Sequence, residues 1–176
     1  MEDDKQKLIH TLMNGGIAVI RTDTVYGIVA RANDEIAVER VYEAKGRDAD
    51  KSCIVLIADP MQAYGDYPLD YAFPKEPTSV LVESPKAPSW LLRANSRIAH
   101  RIPAIDWLIE VIREVGPLIA PSANPQGQPP ALNVSQARDY FGDTIDMYVD
   151  GGQVPTTVTT SKLIWVHENG ATERLR

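Results

Sequence analysis

Residues 17–27, with the sequence IAVIRTDTVYG, decide the fold because they combine a short apolar strand with a polar segment at its end. The apolar run 17–20 is typical of a strand that is covered on both faces. Residues 21–27 then supply two threonine hydroxyls and the phenol of Tyr26, which can hydrogen-bond a small polar ligand. Since open α/β folds place ligands at strand ends, this segment is a candidate binding site. An ordinary turn with Tyr26 in the core explains the same residues.

Predicted helices and strands surround this stretch. Apolar periodicity and capping residues predict helices over residues 5–13, 105–115 and 133–141, and another from Asn33 or Asp34 to Lys45. Strands are predicted over residues 53–58, 79–82, 98–102, 118–120 and 145–149. Residues 161–167 and 171–175 predict a hairpin with a type I′ turn at Asn169-Gly170. This pattern favours an α/β fold with α+β character, in which helices flank a mixed parallel and antiparallel sheet.

Length, composition and charge exclude several classes of protein. The 176 residues suit a single globular domain over residues 1–176. The 18 basic and 24 acidic side chains give a formal net charge of −6, which disfavours non-specific binding to nucleic acid. The acidic start, MEDDKQ, argues against a cleaved signal peptide, and no apolar run approaches the roughly 20 residues of a membrane helix. We therefore expect a cytoplasmic protein that handles small molecules and has no membrane partner.

Metal and thiol chemistry find little support in the sequence. Cys53 is the single cysteine, which excludes an internal disulfide and a multi-cysteine zinc site. It lies in a predicted apolar strand, where a cysteine is typically a core residue. His10, His100 and His167 are far apart and lack the spacing of metal ligands. We expect no metal held by the protein itself.

Two further segments carry groups that suit anions. Lys45-Gly46-Arg47, with Lys51 close behind, ends a predicted helix. These cations can bind a phosphate or carboxylate, although the helix macrodipole alone favours cations at this position. The loop 121–127, PSANPQG, can present backbone N–H groups to an anion, with Ser122 and Asn124 adding side-chain contacts. A simple connecting loop explains the same residues.

Arginine and hydroxyl side chains complete the candidate groups. Arg97 and Arg101 share one face of a predicted strand, where a salt bridge or a solvated surface is their ordinary role. The turn Asp150-Gly151-Gly152 precedes hydroxyl-rich residues at 156–157 and 159–161, which are typical of loops. None of these groups identifies a reaction by itself.

Four stretches, taken together and in this order, resemble the YrdC/TsaC family of threonylcarbamoyl-adenylate synthases. They are RTDTVYGI (21–28), VYEAKGRDADKSCIVLIAD (41–59), APSANPQGQPP (120–130) and VDGGQVPTTV (149–158). The resemblance implies a YrdC-like, twisted α/β sheet with a large concave cavity that is lined by positive charge. It also implies one domain without the additional C-terminal domain of the longer family members.

The same resemblance implies a reaction. L-Threonine, bicarbonate or CO2, and ATP as its Mg²⁺ complex would become threonylcarbamoyl-AMP and pyrophosphate, which makes the protein a nucleotidyltransferase. The product would supply the threonylcarbamoyl group of N6-threonylcarbamoyladenosine (t6A) in tRNA. Candidate partners are therefore tRNA and the proteins of the t6A transferase complex.

Roles for individual residues follow from the matched positions. Lys45 and Arg47 would be the catalytic cations, which bind the threonine carboxylate and the phosphates. The threonine site would consist of Thr22, Thr24, Tyr26 and Arg101. The ATP and phosphate site would consist of Lys51, Ser122, Asn124, Thr156, Thr157 and Arg174.

Some positions depart from the family pattern. Gln126 stands where the family loop S-A-N-x-S-G has its second serine, and Thr156 replaces the serine of an S-T pair. Residues 73–78, FPKEPT, replace a W-P-G-P-x-T segment. Arg174 matches the arginine of a closing R-x-G, but Arg176 stands in place of its glycine.

Two other functions remain open. An RNA-binding module of the same fold is suggested by Arg93, Arg97 and Arg101 with Trp90 nearby, because arginines and aromatic rings together can stack bases. A carbamoyltransferase like the related domain of hydrogenase-maturation proteins is the other. Those proteins carry zinc-finger and acylphosphatase domains, for which one cysteine and 176 residues leave no room.

Overall fold

A mixed sheet forms the centre of the protein. The computed structural model describes residues 2–68, 71–167 and 169–176. The strands in this part of the chain are β1 (Ala18–Arg21), β2 (Tyr26–Arg31), β3 (Val55–Leu56), β4 (Thr78–Glu83), β5 (Arg97–Arg101), β6 (Leu118–Ile119), β7 (Met147–Tyr148), β8 (Lys162–Val166) and β9 (Thr172–Arg174). They form one sheet in the order β7-β1-β2-β6-β3-β5-β4-β8-β9.

Parallel and antiparallel pairs alternate irregularly along this sheet. The pairs β1–β7, β3–β5 and β4–β8 are parallel. The pairs β1–β2, β2–β6, β3–β6, β4–β5 and β8–β9 are antiparallel. The predicted mixed sheet is therefore confirmed.

The longer helices begin and end close to their predicted positions, whereas the four-residue helix at Ser89–Leu92 was not predicted. They are α1 (Glu2–Met13), α2 (Glu35–Lys45), α3 (Ser89–Leu92), α4 (Asp106–Val115) and α5 (Val134–Phe141), with 3-10 turns at Pro60–Gln62 and Gly142–Thr144. Asp34 caps α2 by accepting a hydrogen bond from Ala37 N, and Asn133 caps α5 by accepting one from Gln136 N. Gly46 ends α2 in the left-handed conformation, with φ 57°, which a glycine adopts without strain. No helix in the described ranges is both long and apolar enough to cross a membrane.

The sheet separates two apolar cores. Side chains alternate across a strand, so neighbouring residues of β1 contribute to different cores. Val19 packs in the core under α2 and α5, whereas Ala18 and Ile20 pack in the core under α1 and α4. A smaller cluster of Val80, Val82 and Val166 packs against the side chains of Tyr67 and Phe73. Both faces of the central strands are covered, which explains their continuous apolar runs.

The predictions do not cover every element that the structure describes. Strand β2 was not predicted, because its apolar residues directly follow the polar segment 21–25 and were assigned to the same candidate binding loop. The closing hairpin β8–β9 is confirmed. Its predicted type I′ turn at Asn169-Gly170 adjoins Glu168, which lies outside the described residues.

We expect Asp34→Ala to lower the free energy of unfolding by about 1 kcal/mol, because Ala37 N loses its capping acceptor. Urea denaturation measures this change. Asp34→Asn is the matched control, since an asparagine side chain also accepts at this position. Equal losses in the two variants would contradict a capping role.

Candidate active site

A cavity of about 330 Å³ opens where six segments of the chain meet. These are the β1–β2 turn (22–25), the basic loop (46–52), the end of β5, the S-A-N loop (121–127), the segment that enters β8 (160–163) and the end of the chain. The lining residues are Thr22, Thr24, Val25, Tyr26, Gly27, Arg47, Lys51, Ser52, Cys53, Ile54, Ala99, Arg101, Ala120, Pro121, Ser122, Thr160, Ser161, Leu163 and Arg176.

Positive charge dominates this cavity. Arg47, Lys51, Arg101 and Arg176 line it, and no aspartate or glutamate belongs to the lining in the described part of the chain. Low-dielectric walls strengthen the field of such cations in a cleft. The chain as a whole is acidic, so the cavity stands out as a local site for an anion.

The β1–β2 turn presents two buried hydroxyls to the cavity. The Oγ1 atoms of Thr22 and Thr24 lie 3.0 Å apart, and Thr22 Oγ1 donates to Val25 O at 2.8 Å. Because that bond uses the Thr22 hydroxyl hydrogen, Thr24 must donate in the contact between the two hydroxyls. Lone pairs of Thr24 Oγ1 are then left to accept an N–H from a ligand, such as an amino group.

Tyr26 ties this turn to the glycine turn at 150–152. Its fully buried phenol accepts from Gly151 N at 2.9 Å and donates to Gly152 O at 2.8 Å. A Cβ on Gly151 would lie 2.4 Å from Cβ of Arg21, so the close approach requires glycine. Burial raises the pKa of Tyr26, which keeps the phenol neutral. Tyr26 therefore shapes the wall through fixed hydrogen bonds.

Arg101 lies at the end of β5 beside Asp23. Their ion pair spans 3.2 Å, and both side chains are more than nine-tenths buried. Asp23 Oδ2 also accepts from Ala104 N at 3.2 Å, which orients the carboxylate. Arg101 Nε is buried without a hydrogen-bond partner among the described residues. Burial lowers the pKa of Arg101, and Asp23 opposes that effect, so the guanidinium stays charged and retains a donor for a ligand.

Lys45 and Arg47 have different surroundings. Lys45 Nζ donates to the carbonyls of Ser122 and Asn124, beneath the S-A-N loop, and Lys45 is not a lining residue. Arg47 Nη2 donates to Ser52 O at 2.9 Å, and Arg47 lines the cavity. The structure therefore places the predicted catalytic Lys45 as a support for a loop, and Arg47 as a group that can reach a ligand.

The S-A-N loop packs directly against β2. Ile28 N donates to Pro121 O at 2.9 Å, and Ala123 N donates to Tyr26 O at 2.7 Å. A Cβ on Gly27 would come within 3.2 Å of Pro121 O, so glycine permits this approach. Ser122 Oγ donates to the side-chain oxygen of Asn124, which lies outside the lining. Ser122 is thus the predicted loop residue that the structure brings to the cavity.

Three predicted ATP residues lie outside the cavity. Thr156 and Thr157 are exposed on a turn that precedes β8, and Arg174 is exposed on β9. Thr160, Ser161 and Arg176 line the cavity instead. Arg176 Nη2 donates to Ser161 O at 3.1 Å, which holds the end of the chain against the start of β8.

The sequence carries a signal for these residues. The hydroxyl run 159–161 stands directly before β8, whereas Thr156 and Thr157 stand several residues earlier. The resemblance to a P-S-T-V segment favours the earlier pair. The predicted strand start at residue 161 already places Thr160 and Ser161 at the strand end, where open α/β folds bind ligands.

The other candidate groups are engaged in internal contacts. The Arg93 guanidinium stacks on the Tyr42 ring, 3.8 Å from its centroid. Arg97 stacks on Trp165, and Trp90 Nε1 donates to Ala32 O at 3.0 Å. The structure therefore does not gather the arginines and the tryptophan of the RNA-binding hypothesis on one free surface.

The cavity lining includes Cys53, the single cysteine of the sequence. Cys53 lines the cavity, but it is buried, and burial raises the pKa of its thiol. A raised pKa disfavours the thiolate that acts as a nucleophile. The described residues contain no group of three or more His, Cys, Asp or Glu side chains that could hold a metal ion.

Lys45 should also give a characteristic dependence of stability on pH. Burial, reinforced by nearby Arg47, lowers its pKa from 10.5 to about 8. The penalty for burying the ammonium is therefore full below about pH 8 and disappears as pH rises towards 10.5, where the unfolded chain also loses the proton. We expect the free energy of unfolding, relative to that of Lys45→Met, to rise by about 2 kcal/mol between about pH 7 and about pH 10.

Urea denaturation of both proteins across this range measures the difference, and groups common to both cancel. A difference that does not change with pH would show that the Lys45 pKa is not lowered.

A family model and named relatives place this chain in the same family. The model of the Sua5_yciO_yrdC family, described as telomere recombination, matches residues 10–176. A Mycobacterium tuberculosis H37Rv protein, provisionally named a threonylcarbamoyl-AMP synthase, is 36% identical over 173 residues, covering 92% of this chain and 77% of the relative. The threonylcarbamoyl-AMP synthase of Pyrococcus abyssi is 30% identical over 152 residues, covering 81% of this chain and 45% of the relative.

Solved structures show the same fold. The crystal structure of P. abyssi Sua5 complexed with L-threonine superposes with a TM-score of 0.89 at 28% identity, covering 100% of this chain and 54% of that one. The chain thus spans about half the length of Sua5. E. coli YciO, at 16% identity, has a TM-score of 0.82, with 100% of this chain and 89% of YciO covered, which supports the fold alone. The twisted, mixed α/β sheet is therefore confirmed, and the chain belongs to the Sua5/YciO/YrdC family.

Proposed function

We propose that this cavity is the active site of a threonylcarbamoyl-AMP synthase, which converts L-threonine, bicarbonate or CO2, and ATP into threonylcarbamoyl-AMP and pyrophosphate. The observation that carries the proposal is a cavity with four cationic lining residues and, in the described ranges, no acidic one, beside two threonine hydroxyls. The reaction brings three anions together, namely the threonine carboxylate, the carbamate and the triphosphate. Relatives that carry the synthase name support this assignment.

Threonine fits the part of the cavity nearest the β1–β2 turn. Lone pairs of Thr24 Oγ1 can accept from its amino group, and Tyr26 closes the wall. Arg101 can bind its carboxylate through the free Nε, because Asp23 holds the guanidinium in place. That P. abyssi Sua5 is known in complex with L-threonine supports threonine as a substrate.

The nucleotide fits between the basic loop, the S-A-N loop and the end of the chain. Arg47, Lys51 and Arg176 can bind phosphate oxygens, with Ser122 beside them. Lys45 acts by holding the carbonyls of Ser122 and Asn124, so we assign it a positioning role. Thr156, Thr157 and Arg174 are exposed and lie outside the cavity lining, so we assign them no contact with the nucleotide in this conformation.

The reaction then needs positioning and neutralisation of charge. The amine of threonine attacks CO2, forming an N–C bond and releasing a proton, and the resulting N-carboxylate attacks the α-phosphorus of ATP. A new P–O bond forms as the bond to pyrophosphate breaks. Two anionic groups approach each other in this second step, and the cations of the cavity offset their repulsion. This route requires no covalent bond to the protein, in agreement with the neutral, buried Cys53 thiol.

The proposed reaction also implies a metal ion, a use for the product and a set of partners. Mg²⁺ enters as part of the ATP substrate and stabilises charge on the leaving pyrophosphate. The mixed anhydride is an activated donor, so we assign the chain to the supply of threonylcarbamoyl groups for t6A in tRNA. Its partners are then tRNA and the proteins of the t6A transferase complex, its location is the cytoplasm, and residues 1–176 act as one YrdC-like domain.

The purified chain should release pyrophosphate and form threonylcarbamoyl-AMP when it is incubated with threonine, bicarbonate and Mg-ATP. Mass spectrometry of the product and a pyrophosphate assay measure this. Omission of threonine is the control, because pyrophosphate release must depend on the acceptor. A folded sample that binds ATP but forms no mixed anhydride would overturn the proposal, and product formation from carbamoyl phosphate would favour the carbamoyltransferase alternative.

Arg176→Met should raise the KM for ATP by about tenfold or more, since it removes a charged donor from the cavity. Steady-state kinetics with ATP varied at saturating threonine measures the change. Arg174→Met is the matched control, because its side chain is exposed outside the cavity lining, and we expect about a twofold change at most. The opposite ranking of the two variants would show that Arg174 contacts the nucleotide, as the family motif implies.

A further inference from the structure

We propose that Gln126 is a positioning residue that fastens the S-A-N loop to the basic loop and so holds Arg47 and Lys51 in place for the nucleotide. This inference rests on the proposed function. Gln126 departs from the serine that the family pattern has at its position, so the sequence pattern assigns it no role. Its contacts in the structure supply one.

The side chain of Gln126 reaches across to the basic loop. Its Oε1 accepts a hydrogen bond from Asp48 N at 2.8 Å. Its backbone N donates to Lys45 O at 2.8 Å. Gln126 thus bonds the end of α2 through its main chain and the basic loop through its side chain.

Lys45, at the end of α2, connects to the S-A-N loop through its side chain. Its Nζ donates to the carbonyls of Ser122 and Asn124, so side chains from both segments cross between them. Lys45 is buried, whereas Gln126 is exposed. Loss of the Gln126 side chain should therefore weaken the contact between the S-A-N loop and the basic loop without creating a cavity in the core.

The hydrogen bond from Asp48 N to Gln126 holds a residue that makes several further contacts within the basic loop. Lys51 N donates to Asp48 O at 3.2 Å, and Asp50 N donates to Asp48 Oδ1 at 3.0 Å. Asp48 also forms an ion pair with Lys51 at 3.4 Å. The conformation between Arg47 and Lys51 is thus organised around Asp48, and Gln126 fixes Asp48 relative to the S-A-N loop.

The length of the side chain is essential to this role. Glutamine places its acceptor oxygen three bonds beyond Cβ, whereas a serine hydroxyl is bonded to Cβ itself. A serine at position 126 cannot reach Asp48 N unless the loops move closer. The departure at Gln126 is therefore a change from a short hydroxyl to a cross-loop acceptor.

Gln126→Met and Gln126→Ser test this role, because the first keeps the side-chain length without the acceptor and the second restores the family residue. Gln128→Ala is the matched control, since Gln128 is exposed on the neighbouring part of the same chain segment. Exchange of the Asp48 amide hydrogen, followed by NMR, reports the bond itself. Steady-state kinetics and calorimetric titration with ATP report its effect on the site.

We expect both Gln126 variants to exchange the Asp48 amide about fivefold faster and to show about a fivefold higher KM and dissociation constant for ATP. The kcat should change by about twofold at most, because bound phosphates hold the loop once ATP is present. Gln128→Ala should match the wild type in every measurement. Gln126→Glu should keep the wild-type values, because its carboxylate can accept from Asp48 N. A residue that only fills space would tolerate Gln126→Met equally well.

Unchanged Asp48 exchange, or unchanged ATP affinity, in Gln126→Met would overturn the inference. Equal effects in Gln128→Ala would also overturn it, because they would indicate general loosening of the segment. Exchange and calorimetry need no turnover, so a failure of the proposed reaction appears separately, as ATP binding without formation of threonylcarbamoyl-AMP.

Discussion

Four cationic side chains share one cavity in a chain whose formal net charge is −6, and the surrounding site holds them together against their repulsion. The repulsion is strongest at Arg101, which is buried and therefore least screened by solvent. Asp23 offsets part of this repulsion through its buried ion pair with Arg101, and the backbone carbonyl of Ser52 accepts from Arg47. The remaining positive charge is available to a ligand, so anionic substrates complete the electrostatics of the site.

Close packing of the backbone sets the walls between which these charges lie. Gly27 allows the S-A-N loop to bond β2 directly, and Gly151 allows the glycine turn to approach Arg21. Tyr26 joins the two features, since its carbonyl accepts from Ala123 N and its phenol bonds the glycine turn. Residues that are far apart in the chain thereby become parts of one rigid wall, as a preorganised binding site requires.

Much of the fold could be predicted because it follows from local patterns. Apolar periodicity and capping residues predict α2 and α5, which Asp34 and Asn133 cap. Apolar runs predict most strands near their observed positions. Strand β2 was missed because local pattern does not separate a strand from the polar turn that precedes it. The site was predicted in part: Thr22, Thr24, Tyr26, Arg47, Lys51, Arg101 and Ser122 meet at the cavity, whereas Arg176 and Ser161 were not selected.

The sequence by itself determined the fold class, the family resemblance and the residue types that suit anions, because these are properties of local pattern and motif order. Only the tertiary structure decided which cations face the cavity. Lys45 and Arg47 are near neighbours in sequence, yet one supports the S-A-N loop and the other lines the cavity. Arg174 and Arg176 differ in the same way. The direction of a long side chain depends on the partners that packing brings to it, and those partners come from distant parts of the chain.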